Sequence, residues 1–253
     1  MSDCPAPVIE DWVGRSQTRC DVVTESAVAA LSALLDYERP LAADSQPLPP
    51  CWHWLLFNDT EPASGLDVDG HPQRGGFLPP VELPRRMWAG SRLRFYAPVL
   101  IGDRLRRDSV ISSVQRKTGA SGELVFVRVD HRVLRGDELL IEDSQDIVYR
   151  EAVKTAMTAA QPHVEAAQWT RELRPDPVLL FRYSALTFNG HRIHYDRDYA
   201  TGVEHYPALV VHGPLQAALL IDAAARHHGA PPARFRYRGV HPMFDDHDLR
   251  LIG

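Results

Sequence analysis

Val125-Phe-Val-Arg-Val-Asp-His-Arg-Val133 alternates strictly. Val125, Val127, Val129, His131 and Val133 fall on one face; Phe126, Arg128, Asp130 and Arg132 fall on the other. A period of two with β-branched residues on one side is a strand with a buried face and a wetter face. It sits inside a candidate strand over 124–134, and three further β-rich runs cover 92–97, 109–116 and 139–149. Ile101-Gly-Asp103, Lys117-Thr-Gly-Ala-Ser-Gly122 and Arg135-Gly-Asp137 supply turns between them. The expectation is an antiparallel meander. Upstream, 24–35 reads as a helix with Thr24 as N-cap and Ala27, Val28, Leu31, Leu34 and Leu35 at helical spacing. One helix followed by four or five antiparallel strands is the α+β arrangement in which a sheet wraps a helix.

The same order then restarts. Residues 151–177, with their alanines, glutamines and the Arg174-Pro-Asp-Pro177 run, read as a linker with a little helix. After it come a short helical piece at 184–188, an apolar helix over 213–228, and strand-like runs at 234–239 and 248–252. The expected organisation is therefore an N-terminal unit over 1–150, the linker, and a C-terminal unit over 178–253. The second unit has only two strands after its helix where the first has four. Between the helix and strands of the first unit, 58–80 is rich in Gly, Pro and Asp and lacks periodicity, so it reads as a long loop of the kind that is usually functional or mobile.

The chain has 253 residues, room for one large domain or two of roughly 120. With 44% hydrophobic and 24% charged residues its composition is globular. Apolar stretches such as 217–225 are interrupted by Asp222 and are far shorter than the ~20 residues of a membrane span. The acidic, proline-bearing N-terminus lacks the basic and apolar regions of a signal peptide. Cys4, Cys20 and Cys51 are too few and scattered for a disulfide framework or a zinc site, which fits free thiols in a reducing cytoplasm. A net charge of −5 argues against nucleic acid as a partner.

Chemistry concentrates in Tyr183-Ser-Ala-Leu-Thr-Phe-Asn-Gly-His-Arg-Ile-His-Tyr-Asp-Arg-Asp-Tyr199. Asn189-Gly190 breaks the helical pattern there, and histidines, arginines, aspartates and tyrosines follow densely. Further on, Leu209-Val-Val-His-Gly-Pro-Leu215 leads into the apolar helix. Pro214 suits a first helical turn, Gly213 lets the backbone come close to a ligand, and free amides at a helix start can receive a developing oxyanion. No P-loop, no dinucleotide-binding glycine pattern and no Gly-x-Ser-x-Gly elbow occurs.

The run Phe188-Asn-Gly-His-Arg-Ile-His-Tyr-Asp196, followed by Val211-His-Gly-Pro-Leu215, resembles the catalytic loop and central-helix start of MaoC-like hydratases. In the first half, Leu48-Pro-Pro-Cys-Trp-His-Trp54 and Gly76-Phe-Leu-Pro-Pro-Val-Glu-Leu-Pro-Arg-Arg-Met-Trp-Ala-Gly90 resemble the double-hotdog subgroup of hydroxyacyl-thioester dehydratases and mesaconyl- and itaconyl-CoA hydratases. The likeness runs from about Val22 to the C-terminus. It implies a double hotdog, two helices each wrapped by an antiparallel sheet, working as a homodimer on a CoA thioester with neither metal nor cofactor. The implied reaction is hydration of a C5 dicarboxylyl-CoA, itaconyl-CoA or mesaconyl-CoA, to citramalyl-CoA. Two alternatives stand beside it: a (3R)-hydroxyacyl-thioester dehydratase of fatty acid synthesis, and a non-catalytic acyl-thioester-binding protein.

The resemblance assigns the catalytic roles to His194, Asn189 and Gly213, with His194 as principal acid/base and the Gly213 amide facing the enolate oxygen. The family carries aspartate where Asn189 stands, and an amide cannot take a proton from water. The missing carboxylate could come from Asp196, Asp198 or, through the fold, Glu82. Substrate contacts are expected from Arg192, His191, His212, Tyr195, Arg85 and Arg86, with an arginine pairing the free carboxylate of the acyl group. Arg92, Arg94, Arg104, Arg106 and Arg107 are candidates for the CoA phosphates.

Overall fold

The computed structural model describes residues 8–37, 45–119, 122–152 and 166–253. Ser16–Val22 forms β1, and Glu25–Leu34 forms α1. Thr24 caps α1 as expected, its hydroxyl accepting from the Ala27 amide at 3.3 Å. β1 escaped the sequence reading because Ser16-Gln-Thr-Arg-Cys-Asp-Val22 has no apolar face to alternate; it is an edge strand, paired with β3 alone. The meander follows as β2 (Arg85–Phe95), β3 (Arg104–Gly119), β4 (Gly122–Arg135) and β5 (Glu138–Arg150). β3, β4 and β5 outrun the predicted bounds at both ends, while β2 starts seven residues before its predicted 92–97 and stops two residues short of it. β2 begins at Arg85 because Gly90 and a register shift after Trp88 let it continue through a bulge.

In the second half, Thr170–Leu173 is β6, Pro177–Leu186 is α2, Gly213–His228 is α3, Arg234–Arg238 is β7 and Leu249–Ile252 is β8. The predicted linker is thus corrected at its C-terminal end: 170–173 is strand, and Pro177 already opens a helix whose N-cap, Asp176, accepts from Leu179 N at 2.8 Å. The little helix expected in the linker falls on 153–165, outside the described residues. α3 has the predicted bounds. Pro214 lies in its first turn, Arg226, His227 and His228 complement the dipole of its last turn, and Gly229 closes it at φ +73°.

The large sheet is antiparallel in the order β1-β3-β4-β5-β2-β7. β7 therefore joins the first half's sheet, with Gly90 opposite Arg238 and Arg94 opposite Arg234, so one sheet runs through both halves. β6 and β8 make a separate two-stranded ladder. One apolar core unites the halves: Val28 and Leu31 of α1, Leu180 of α2, and Leu215, Leu219 and Ile221 of α3 are all buried with Leu93, Val133 and Leu140 of the sheet. Each such side chain contributes about 1.5–3 kcal/mol of transfer free energy. Asp222, on the buried face of α3, is held by Tyr37 just after α1, by Arg226 at 2.9 Å and by Arg171 at 3.3 Å. The segment leaving α2 meets the long loop of the first half, while the start of α3 meets Trp88 of β2.

Candidate active site

α2 ends in a Schellman motif: Asn189 N donates to Ser184 O at 2.8 Å and Phe188 N to Ala185 O at 3.3 Å. Phe188 takes the left-handed position at φ +51°, where glycine is usual. The chain then turns sharply, and the Asn189 side-chain oxygen accepts from His191 N at 3.0 Å. A short 3-10 turn, Arg192–His194, follows. His194 is buried, and its Nδ1 lies 2.7 Å from Val210 O. A carbonyl only accepts, so Nδ1 carries the hydrogen and the Nε2 lone pair is the free one. Burial pushes His194 down to about 4, with the Val210 bond working against it.

Beneath His194 lies His212, stacked at 3.7 Å between ring centroids and 1% exposed. Its Nε2 meets Ser184 Oγ at 2.8 Å. His212 supports His194 from behind and does not reach the cavity, which corrects its expected place among the substrate contacts. Gly213 does line the cavity, as the first residue of α3. It must be glycine for a reason of space, since a Cβ would stand 2.8 Å from Trp88 Cε3. Among the described residues the Gly213 N–H has no acceptor, which leaves it open at the positive end of α3.

The carboxylate absent at position 189 is present elsewhere. The loop Asp67-Val-Asp-Gly-His71 of the first half abuts the turn, with Arg192 N donating to Asp69 O at 2.9 Å. Gly70 faces Gly190 so closely that a Cβ on Gly70 would lie 1.9 Å from Gly190 O. This contact sets His71 against His191 at 4.0 Å between ring centroids, and His191 meets His194 edge-on at 5.4 Å. Asp69 Oδ2 lies 2.9 Å from His71 Nδ1, and its Oδ1 accepts from His71 N at 2.9 Å. Burial alone would raise the Asp69 carboxyl, but the bonds and charge of His71 prevail and hold it at about 2. His71 is itself lowered by burial, with the Asp69 bond acting in the opposite sense.

Asp69 and His71 were missed in the sequence; the available signal was a His-bearing Asp-Gly turn inside a long loop of the kind that is functional or mobile. Glu82 is exposed and stands off the cavity, Asp198 is exposed, and Asp196 is spent on Arg192. Asp69, His71 and His191 bring ligand-type atoms within 4.8 Å of one another. Asp69 Oδ2 and His71 Nδ1 bond each other, however, the arrangement of a carboxylate–imidazole pair and not of an open coordination site.

These groups open on a cleft of about 1550 Å³ between the loop, the turn and the sheet. Trp88 forms its wall, stacked on Tyr237 and edge-on to Trp54 at 5.5 Å each. Asn189, His191, Tyr195 and Arg86 line it. The Tyr195 hydroxyl donates to Gly190 O at 2.9 Å, bracing the turn. Arg192 does not line the cleft. Its guanidinium binds Asp196 at 2.8 and 3.0 Å, donates to Val68 O at 3.1 Å and lies over the Tyr199 ring at 4.0 Å. Arg85 is buried against Glu204 and the Val203 carbonyl. Both expected substrate contacts are corrected: intramolecular partners already satisfy them. Arg86 faces the cleft, donating a long 3.4 Å bond to Pro72 O and lying beside the Tyr149 hydroxyl, and no carboxylate forms a direct ion pair with it among the described residues. Of the phosphate candidates, Arg92 and Arg107 line the cleft, joined by Arg236 and Arg238 of β7.

Comparison with known proteins accords with this geometry. A family model described as hydroxyacyl-thioester dehydratase type 2 matches residues 51–245. A mesaconyl-C(4)-CoA hydratase of Chloroflexus aurantiacus is 49% identical over 245 residues, covering 95% of this chain and 87% of the relative. Among solved structures, a MaoC-like dehydratase superposes with a TM-score of 0.70 at 15% identity, over 96% of this chain and 88% of that one. A conserved hypothetical protein of Mycobacterium tuberculosis, described as a double hotdog, superposes with a TM-score of 0.59 at 13% identity, over 94% and 82%. The fold is the double hotdog that the sequence resemblance implies.

Proposed function

Because the chain belongs to the hydroxyacyl-thioester dehydratase type 2 family and is a hydro-lyase, we propose that it adds water to the double bond of a C5 dicarboxylyl-CoA, mesaconyl-CoA or itaconyl-CoA, giving citramalyl-CoA. The observation that carries this reading is the 49% identity to a mesaconyl-C(4)-CoA hydratase across 95% of the chain. Hydration of the conjugated double bond of mesaconyl-CoA places hydroxide on the β-carbon and a proton on the α-carbon through an enolate, and calls for neither redox cofactor nor metal. The Gly213 N–H, at the start of α3, receives the enolate oxygen. His194 presents its Nε2 lone pair to the attacking water. The Asn189 oxygen is used in its own turn, so this residue shapes the loop and moves no proton. The family likeness also supports a homodimer, which sedimentation of the purified chain checks.

Arg86 supports the dicarboxylate. A cleft-facing guanidinium without a carboxylate partner is costly to desolvate, and a substrate carboxylate supplies that partner bidentately. The test is the loss or gain of enoyl-thioester absorbance on mesaconyl-CoA, itaconyl-CoA and crotonyl-CoA, for the wild type and Arg86→Met. Turnover of the branched dicarboxylates, with a selective loss of about 2–5 kcal/mol of transition-state binding on them in Arg86→Met, is the expected result. Preference for crotonyl-CoA, with an Arg86→Met loss equal on all substrates, would instead make the protein a (3R)-hydroxyacyl-thioester dehydratase, the reaction for which the matching family model is named.

A further inference from the structure

Hydration must park a proton on the protein between its removal from water and its delivery to carbon. At His194 an imidazolium would be buried on the face of His212, with a backbone carbonyl as its only hydrogen-bond acceptor. At His71 it would lie 2.9 Å from the Asp69 carboxylate. An ion pair formed in a desolvated site outweighs a carbonyl contact, because the imidazolium then faces a full opposite charge at low dielectric and not only the dipole of a carbonyl. His71 is also the most accessible of the four clustered rings: it is half-buried, whereas His191, His194 and His212 are buried. It lines the same cleft as His194.

Resting on the hydratase reading above, we infer that His71, oriented by Asp69, is the catalytic acid–base residue of the reaction, and that the pair replaces the carboxylate that Asn189 lacks. His71 Nδ1–H is fixed by Asp69, so Nε2 accepts one proton from water while His194 Nε2 accepts a hydrogen bond from its other hydrogen. The water oxygen bonds to the β-carbon, and the π pair moves to the enolate, whose oxygen meets the Gly213 N–H. The His71 imidazolium then returns its proton to the α-carbon. One water is added, and both histidines and the aspartate end as they began. Asp69 touches no substrate and acts as a positioning residue. The charged and titratable groups around His71 are Asp69 on its own loop, Arg74 and Arg86 beyond it, and the His191 and His194 rings from the second half.

The experiment is steady-state hydration of the preferred enoyl-CoA by wild type, His71→Gln, His71→Ala and Asp69→Asn. His71→Gln should lose about 10²–10⁴-fold in kcat with KM within about threefold. Added imidazole should restore at least about tenfold of the rate lost in His71→Ala. In Asp69→Asn the acidic limb of the kcat/KM profile should move to lower pH, since the imidazolium loses its carboxylate; a merely structural role would lower activity without moving that limb. His71→Gln with kcat within about threefold of wild type, or an unmoved pH limb in Asp69→Asn, overturns the assignment. Should the variants fail to fold, diethyl pyrocarbonate on the wild type decides. His71 modification tracking inactivation, with protection by substrate, supports the role; full modification with activity retained overturns it. Wild type that hydrates no enoyl-CoA sinks the hydratase reading itself, whereas active wild type with an indifferent His71 sinks this inference alone.

Discussion

His194 Nδ1 donates to the Val210 carbonyl, and this single bond decides which nitrogen the ring can offer to water. Truncation removes that nitrogen but leaves the Val210 carbonyl to reorganise around a small cavity. His194→Ala should keep its far-UV circular dichroism and lose about 10²–10⁴-fold in hydration rate; wild-type turnover in that variant would remove His194 from the mechanism. Arg192 illustrates the opposite case. Its partners are Asp196, the Val68 carbonyl and the Tyr199 ring, and the ion pair is partly exposed. A pair this open to solvent adds little to stability, and the ring contact adds modestly to it. Arg192→Met should therefore lower Tm by about 2–4 °C and change kcat/KM equally on mesaconyl-CoA and crotonyl-CoA. A loss confined to the dicarboxylate would return Arg192 to the role of clamp.

At the scale of elements, the site depends on backbone placed against backbone or ring. Gly70, at φ +86°, and Gly190 let the first-half loop and the turn after α2 touch. Neither neighbour is a flexible side chain, so the contact cannot relax cheaply. Gly70→Ala should cost more than about 2 kcal/mol in urea unfolding, or else separate the loops with loss of hydration. Gly213→Ala pushes a methyl onto the Trp88 ring. Overpacking of this kind costs about 1–3 kcal/mol, and here it also backs the α3 amide away from the cleft, so kcat should fall further than stability. Retention of wild-type kcat in Gly213→Ala would detach the helix start from catalysis.

For the whole molecule, buried histidines set the acid limit. Burial pushes His131 and His194 down to about 4, against about 6.5 in an unfolded chain. The unfolded state therefore binds more protons below pH 6.5, and the stability held above that pH is lost as pH falls from 6.5 towards 4, by about 3 kcal/mol per group. Asp143, held at about 2 by His53, His131 and Ser91 against the cost of its burial, adds a contribution present above about pH 4 and lost below it. Urea midpoints should be level above pH 7 and fall steeply between pH 6.5 and 4.5; a level midpoint through that window would contradict the neutral, buried state of these rings.

The sequence by itself determined the elements and the likeness. Alternation in 125–133 marked β4, the Thr24 cap marked α1, and the apolar run that opens at Gly213-Pro214 and ends at His228 marked α3 to the residue. These are local signals, since side-chain period and capping act within a few residues. The edge strands β1 and β6 lacked a buried face and so lacked a signal. His194, Asn189 and Gly213 were legible as neighbours in a motif. What only the tertiary structure decided was which charged groups are already paired and which distant loops meet. Arg85 reads as a free arginine until Glu204, from the other half of the chain, is placed beside it. Asp69 and His71 read as loop residues until Gly70 closes on Gly190. Pairing and desolvation depend on distances across the fold, between residues from opposite halves of the chain, and no periodicity records them.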